Sequence, residues 1–323
     1  MKIAALIRAY HRPDQLALLL DRLQGPLWVP LVHIDRKSDI AQFAALRDKA
    51  QFLDDRVQVN WGGLSQVEGV LRLLRTAFRD PTITHFYHMS GQCYPVKTDA
   101  QIRERIASFP AGSANLMELT AMPVSHKPLE RYTRRWLHDV QNPVAWRILR
   151  RVFPRLPDRS LSALRGIDLY GGGAWWLFKR ETVAKILGFL DKNPWYLRCF
   201  RHTDCPDEML LHSLMAPLGI TIGGDAPTAD LWVQGKAHPE TVTAAIHQQF
   251  AESAALFGRK YVDFHPAKST GANTAQLGQA RLGPASSMYR TLGTAWKKFT
   301  NRRAVLMISR TNGPPIIAVR AEK

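Results

Sequence analysis

Residues 1–35 read MKIAALIRAYHRPDQLALLLDRLQGPLWVPLVHID, and this stretch decides the fold class. Ile3 to Ile7 is a short apolar run of strand type. Arg12-Pro13-Asp14 reads as a helix start, and Leu16, Leu19, Leu20 and Leu23 then recur at helical spacing. Val29 to Ile34 is a second apolar strand, ending at Asp35. A secretory signal is the competing reading of the N-terminus, but Arg8, His11, Arg12 and Asp14 interrupt the apolar run. Strand, helix, strand in so few residues starts a βαβ unit, and the pattern continues downstream. A helix is expected over Ile40 to Phe52, a third strand over Arg56 to Asn60 and a helix over Ser65 to Phe78. Ser65 and Glu68 stand at capping-box spacing there. A fourth strand is expected over His85 to Met89, a helix over Asp99 to Ser108 and a strand over Asn115 to Leu119. Such alternation predicts an α/β fold with a parallel, Rossmann-type sheet that binds its ligand at the carboxyl ends of the strands.

From Pro123 to Arg165 the pattern changes to an Arg-, Trp- and Pro-rich stretch with little periodicity, which reads as an insertion over the sheet. Leu169 to Lys179 restores a strand, with Gly171-Gly172-Gly173 ahead of Trp175-Trp176. Helices follow over Arg180 to Leu190 and Pro206 to Met215. The composition changes near Gly271, so the expected organisation is a main domain over residues 1–270 and a C-terminal extension over 271–323. No internal repeat is visible.

The chain has 323 residues, 46% hydrophobic and 22% charged, ordinary for a folded protein and unlike a disordered one. The imbalance is in sign: Lys+Arg 44 against Asp+Glu 27, a formal net charge of +17. Such a surplus predicts an anionic partner, whether nucleic acid, acidic membrane, polyanionic glycan or phosphorylated substrate. No pair among Cys93, Cys199 and Cys205 has the close spacing of a zinc knuckle or redox motif, which predicts a reducing compartment and no disulfide framework. No stretch approaches the roughly 20 apolar residues of a spanning helix. The expected location is cytoplasmic, with a peripheral seat at the inner face of the membrane.

Five segments are candidates for chemistry, each with a plainer alternative. Asp35, in VHIDRKSD, sits at a strand end where an acid can bond a ribose or a base edge; the alternative is a solvated loop. Trp61-Gly62-Gly63 offers a flat ring beside a closely approachable backbone, suited to stacking on uracil, or is a turn with a half-buried Trp. The segment SGQCYP ends the fourth strand without the paired aspartates that hold a divalent cation. Cationic side chains then neutralise a departing diphosphate, or the loop merely turns. Asp207 and Glu208 follow Cys205-Pro206: one carboxylate faces the cleft as general base, or both favour a helix dipole. Arg259 and Lys260 are counter-charges for a diphosphate, or an amphipathic surface.

Taken in order, VHIDRKSD, WGGLSQVE, HMSGQCYPVKTD, YGGGAWWLFKRET, CPDEMLLHSLM and ALFGRKYVDF resemble the core-2/I-branching β-1,6-N-acetylglucosaminyltransferase family, which also includes the peptide O-xylosyltransferases. The likeness spans roughly Met1 to Asp263. It implies a GT-A-like fold, a UDP-sugar donor (N-acetylglucosamine or xylose), inversion at the anomeric carbon and, in the N-acetylglucosaminyl branch, no metal or other cofactor. By the same resemblance Glu208 matches the catalytic base. Asp35, Trp61, Lys236, Arg259 and Lys260 are assigned to UDP, and Glu118, Lys127, Arg131 and Trp175 to the acceptor. The acceptor is expected to be a glycan, a lipid-linked glycan or a protein. The rival functions are a basic nucleic-acid-binding protein, which lacks a recognisable binding module here, and an inactive sugar-nucleotide binder.

Overall fold

A computed structural model describes residues 1–110, 114–124, 126–233 and 238–262, together with the backbone of residues 305–309 and 316–320. The chain divides into two units, Met1–Gly271 and Ala272–Lys323. In the first unit the strands, in chain order, are β1 (Ile3–Ala9), β2 (Trp28–Ile34), β3 (Gln51–Phe52), β4 (His85–Ser90), β5 (Tyr94–Pro95), β6 (Leu116–Met117), β7 (Thr120–Ala121), β8 (Tyr170–Gly171), β9 (Trp176–Lys179), β10 (Thr228–Ala229) and β11 (Phe257–Gly258). The main sheet has the order β3-β2-β1-β4-β9-β6, and a small sheet has the order β10-β11-β5. In the second unit β12 (Val305–Ser309) pairs antiparallel with β13 (Ile316–Arg320).

The helices are α1 (Pro13–Arg22), α2 (Ser65–Phe78), α3 (Asp99–Ala107), α4 (Glu130–Thr133), α5 (Pro143–Val152), α6 (Arg180–Lys192), α7 (Pro194–Cys199) and α8 (Ala244–Glu252). Period-two alternation along β1 divides the core into two layers. Ala4 and Leu6 pack with apolar residues of α2 and α6, while Ile3, Ala5 and Ile7 pack with those of α1 and α3. Sheet strands buried on both faces are why β1 and β2 read as continuous apolar runs. Among the described residues no helix is long and apolar enough to cross a membrane.

Several expectations are corrected. The sheet is not wholly parallel: β9 runs antiparallel to β4 and to β6. Trp176 pairs with His88, so β9 starts at the carboxyl edge of the sheet. The chain reaches that edge through the insertion, with no crossover helix to carry it back, and an antiparallel strand follows. Ile40 to Phe52 is not one helix but a 3₁₀ turn over Ile40–Leu46 followed by β3.

Residues 56–60 are not a strand, because their backbone is held by other groups. Val57 N–H donates to His33 Nε2 at 2.8 Å, and Val59 N–H donates to Asp35 Oδ1 at 3.2 Å. Ser65 does not cap α2. Its hydroxyl instead accepts from Asn60 N–H and donates to Asp139. The capping box that does form is Thr98 with Gln101, on α3. Pro206 to Met215 is two 3₁₀ turns, Pro206–Glu208 and His212–Leu214, so Glu208 heads no helix. The insertion carries more regular structure than its composition suggested, namely α4 and α5.

Among the described residues three histidines are buried: His33, His88 and His212. The Nε2 of His33 is occupied as an acceptor by Val57 N–H, and that of His88 by Arg8 Nε at 3.0 Å, so both rings are held neutral. Burial pushes His33 and His212 down to about 4, and His88 well below its usual value. In an unfolded chain each takes a proton near pH 6.5. Between pH 6.5 and about 4 the unfolded state therefore binds more protons, and stability falls as pH falls. Each histidine contributes a slope of up to about 1.4 kcal/mol per pH unit inside that window. Urea unfolding at pH 7 and pH 5 is expected to show a clear loss at the lower pH, and equal stabilities would refute the neutral burial.

Candidate active site

The insertion and the two 3₁₀ turns meet at Glu208. Lys127 Nζ lies 2.6 Å from Glu208 Oε2, and Arg131 NH1 lies 2.8 Å from the same oxygen. Oε1 has no hydrogen-bond partner among the described residues. The Glu208 side chain keeps 29% exposure, whereas that of Lys127 keeps 7%. Burial alone would push the Glu208 carboxyl up. Lys127 and Arg131 outweigh it and hold the group below the ordinary carboxylate range.

The neighbouring carboxylate has the opposite environment. Burial raises Asp207; the Arg8 guanidinium, 3.6 Å away, opposes this, and the charge of Glu208 adds to it. Gln66 Nε2 donates to Asp207 Oδ1 at 3.1 Å. Arg8 itself comes from the middle of the sheet, on the Ala4/Leu6 face of β1, and donates to His88 on β4 and to the Gln66 carbonyl. His88 Nδ1 bonds the Ala174 carbonyl at 2.7 Å, and its ring packs against Trp175 at 5.3 Å between centroids. The Arg259 guanidinium sits 4.5 Å from the Trp175 ring centroid and pairs with Asp230 at 3.6 Å. An unbroken series of contacts thus runs from the Asp207–Glu208 turn to Arg259.

Local backbone features hold this series. Gly172 N–H donates to the Glu208 carbonyl at 3.1 Å, and a Cβ on Gly172 would collide with the Glu118 carbonyl oxygen. Only glycine lets these segments approach so closely. The Glu118 carboxylate accepts from Gly173 N–H at 2.7 Å. Cys205 N–H donates to the Gly62 carbonyl at 2.9 Å, which seats the Trp61 loop beside the Glu208 turn. Gly62 has φ +75°, a conformation other residues rarely adopt. His138 Nε2 bonds Asp204 Oδ1 at 2.9 Å and meets the Trp61 ring edge-on.

The structure therefore brings Glu208, Lys127, Arg131, Glu118, Trp175 and Arg259 together at the carboxyl edge of the sheet, and Lys260 follows Arg259 in the chain. The expected acceptor cations Lys127 and Arg131 turn out to be partners of Glu208 itself. Glu118 is engaged by the glycine backbone, and Trp175 is a buried wall beneath Arg259. Trp61 is 70% exposed, with its ring open to stacking. Asp35 is buried; its Oδ1 accepts from Lys37 N–H and Val59 N–H, which fastens the loop over residues 56–60 to the end of β2. Lys260 lies close enough to His11 to help burial lower that imidazole. Lys236 lies outside the described residues. Among the described residues no group of three or more His, Cys, Asp or Glu side chains is arranged to hold a metal ion. Arg8, His88 and His138 were missed by the sequence reading. The signal for Arg8 was present, since a cation inside IAALIRA needs a buried partner.

The core-2/I-branching enzyme family profile matches residues 14–253. The chain belongs to this family of glycosyltransferases. No curated protein matches the chain. Solved structures with partial likeness include residues 1–349 of S. aureus TarS, at 15% identity over 42% of this chain and a TM-score of 0.26. Mouse xyloside xylosyltransferase 1 in its apo form matches at 10% identity over 80% of this chain and 97% of its own, with a TM-score of 0.35. The chain covers 41% of the TarS fragment.

The paired cations make a prediction that does not depend on activity. Lys127→Met removes the charge 2.6 Å from Glu208. The Glu208 carboxyl should then titrate at a higher pH than in the unaltered protein, read by carboxyl carbon NMR. An unmoved titration would show that Lys127 does not set the charge state of Glu208.

Proposed function

We propose that the protein transfers a sugar, N-acetylglucosamine or xylose, from a UDP-sugar to an acceptor hydroxyl with inversion and without a metal ion, using Glu208 as the general base within a GT-A-like fold. The single observation that carries this reading is the asymmetry of the Glu208 carboxylate. Two cations hold Oε2, and Oε1 has no partner among the described residues, on a side chain still partly open to solvent. Fixed in this way, the carboxylate is ionised at neutral pH and aimed by its own ion pairs. An acceptor hydroxyl that donates to Oε1 loses its proton there as its oxygen attacks the anomeric carbon and the bond to the diphosphate breaks. General-base assistance of this kind contributes about 10²–10⁴-fold.

A base held this low is a weak one, so the leaving group must carry much of the driving force. Arg259 and Lys260 supply preorganised positive charge for the departing diphosphate, often the larger share of catalysis. Trp61, with its exposed ring, supplies a platform for the uracil. Asp35 contributes by fixing the loop that leads to Trp61. The carboxylates around the cleft are engaged by cations or by backbone N–H groups: Glu208 by Lys127 and Arg131, Asp207 by Arg8, Asp230 by Arg259 and Glu118 by Gly173. That arrangement supports cationic side chains, rather than a carboxylate-held ion, as the counter-charge.

Glu208→Gln should bind UDP as the unaltered protein does and lose transfer by about a hundredfold or more. In the same assay EDTA should leave the unaltered protein active. Full turnover by Glu208→Gln removes the residue from its role, and loss of activity in EDTA that Mn²⁺ restores overturns the metal-free mechanism.

A further inference from the structure

Three arginines of the insertion, Arg147, Arg150 and Arg151, are arranged by α5. Asn142 caps this helix, its side-chain oxygen accepting from Val144 and Ala145 N–H, and Pro143 stands at the first helical position. No residue of α5 is buried. At 100° per residue, Ala145, Leu149 and Phe153 share one stripe, and these are half-buried against the protein. Val144, Ile148 and Val152 form a second stripe, at i, i+4 and i+8, that faces water with exposures of 64%, 55% and 40%. Trp146 flanks the other side of the helix and is also exposed. Arg147, Arg150 and Arg151 fill the arc between these two apolar edges, and the Arg150 guanidinium lies 5.1 Å from the Trp146 ring centroid. Arg155 and the exposed Leu156 extend the pattern past the helix end. Residues 143–157 contain these four arginines and no acidic residue.

We propose that α5 docks the protein on the surface of an anionic lipid bilayer. The pattern requires two chemistries side by side. Guanidinium groups find phosphate oxygens in the headgroup layer, while Val144, Ile148 and Trp146 enter the boundary with the acyl chains. A nucleic acid would satisfy the arginines but leave the aliphatic stripe in water. A second copy of this chain would cover the stripe but set two arginine arcs against each other, which like-charge repulsion opposes. The formal charge of +17 favours the anionic surface at longer range. The docking helix belongs to the same insertion as Lys127 and Arg131, so the element that meets the lipid also shapes the ground around Glu208. The docking does not rest on the transfer reaction and is tested apart from it.

The test is cosedimentation of the full chain with vesicles of phosphatidylcholine alone and of phosphatidylcholine mixed with phosphatidylglycerol. Binding to the mixed vesicles only, weakened by salt, is expected. The double variant Val144→Asp, Ile148→Asp and the double variant Arg147→Glu, Arg151→Glu should each lower the apparent partitioning about tenfold or more. Unchanged circular dichroism and UDP binding show that the variants fold. Three results would overturn the proposal: no binding to the mixed vesicles; binding that the Val144→Asp, Ile148→Asp variant retains, which places the contact elsewhere on the basic surface; or self-association of the unaltered protein that this variant abolishes, which makes the stripe a contact between copies.

Discussion

One ion-pair arrangement organises the cleft: two cations share a single oxygen of Glu208. Lys127 is nearly buried, and a lysine so placed is tolerated only because a carboxylate meets it. Arg131 reaches the same oxygen from the start of α4, and its backbone carbonyl accepts from Asp204 N–H at 2.8 Å. Those contacts fold the start of the insertion against the Cys205–Glu208 turn. The Gly172 bond to the Glu208 carbonyl and the Cys205 bond to the Gly62 carbonyl then fix the turn from two other sides. The position of the carboxylate is therefore set by its surroundings, and its low titration and its open oxygen have the same cause.

The adjacent pair Asp207 and Glu208 shows how one short turn makes two unlike carboxylates. Asp207 points into the sheet, where burial outweighs Arg8, and Glu208 points to the cleft, where two cations outweigh burial. Groups pushed apart in this way divide their tasks. Asp207 fastens the turn to β1 through Arg8 and to α2 through Gln66, and Glu208 keeps its charge at the cleft, which the proposed mechanism uses.

Much of this was legible in the sequence. β1, β2 and β4 were readable because strands buried on both faces are plain apolar runs. The direction of β9 was not, since it depends on where the insertion leaves the chain rather than on the residues of the strand. Residues 56–60 alternate like a strand, yet His33 and Asp35 take their backbone donors, a tertiary event that local pattern does not show. Glu208 emerged through likeness to a family. Its neighbours Lys127 and Arg131 emerged as acceptor contacts, and their spacing could not reveal that they also close on the carboxylate itself. The Arg/Trp-rich stretch looked aperiodic because Arg147, Arg150 and Arg151 fall between the members of the Val144, Ile148, Val152 stripe. Only the folded helix separates the two patterns.

The most direct measurement is a crystal structure of the protein with UDP and an acceptor bound together. The account predicts the acceptor hydroxyl within hydrogen-bond reach of Glu208 Oε1, about 2.6–3.2 Å, with Lys127 and Arg131 still on Oε2 and the diphosphate against Arg259 and Lys260. An acceptor hydroxyl held by a different base, with Glu208 still closed by its two cations and turned from the sugar, would contradict it.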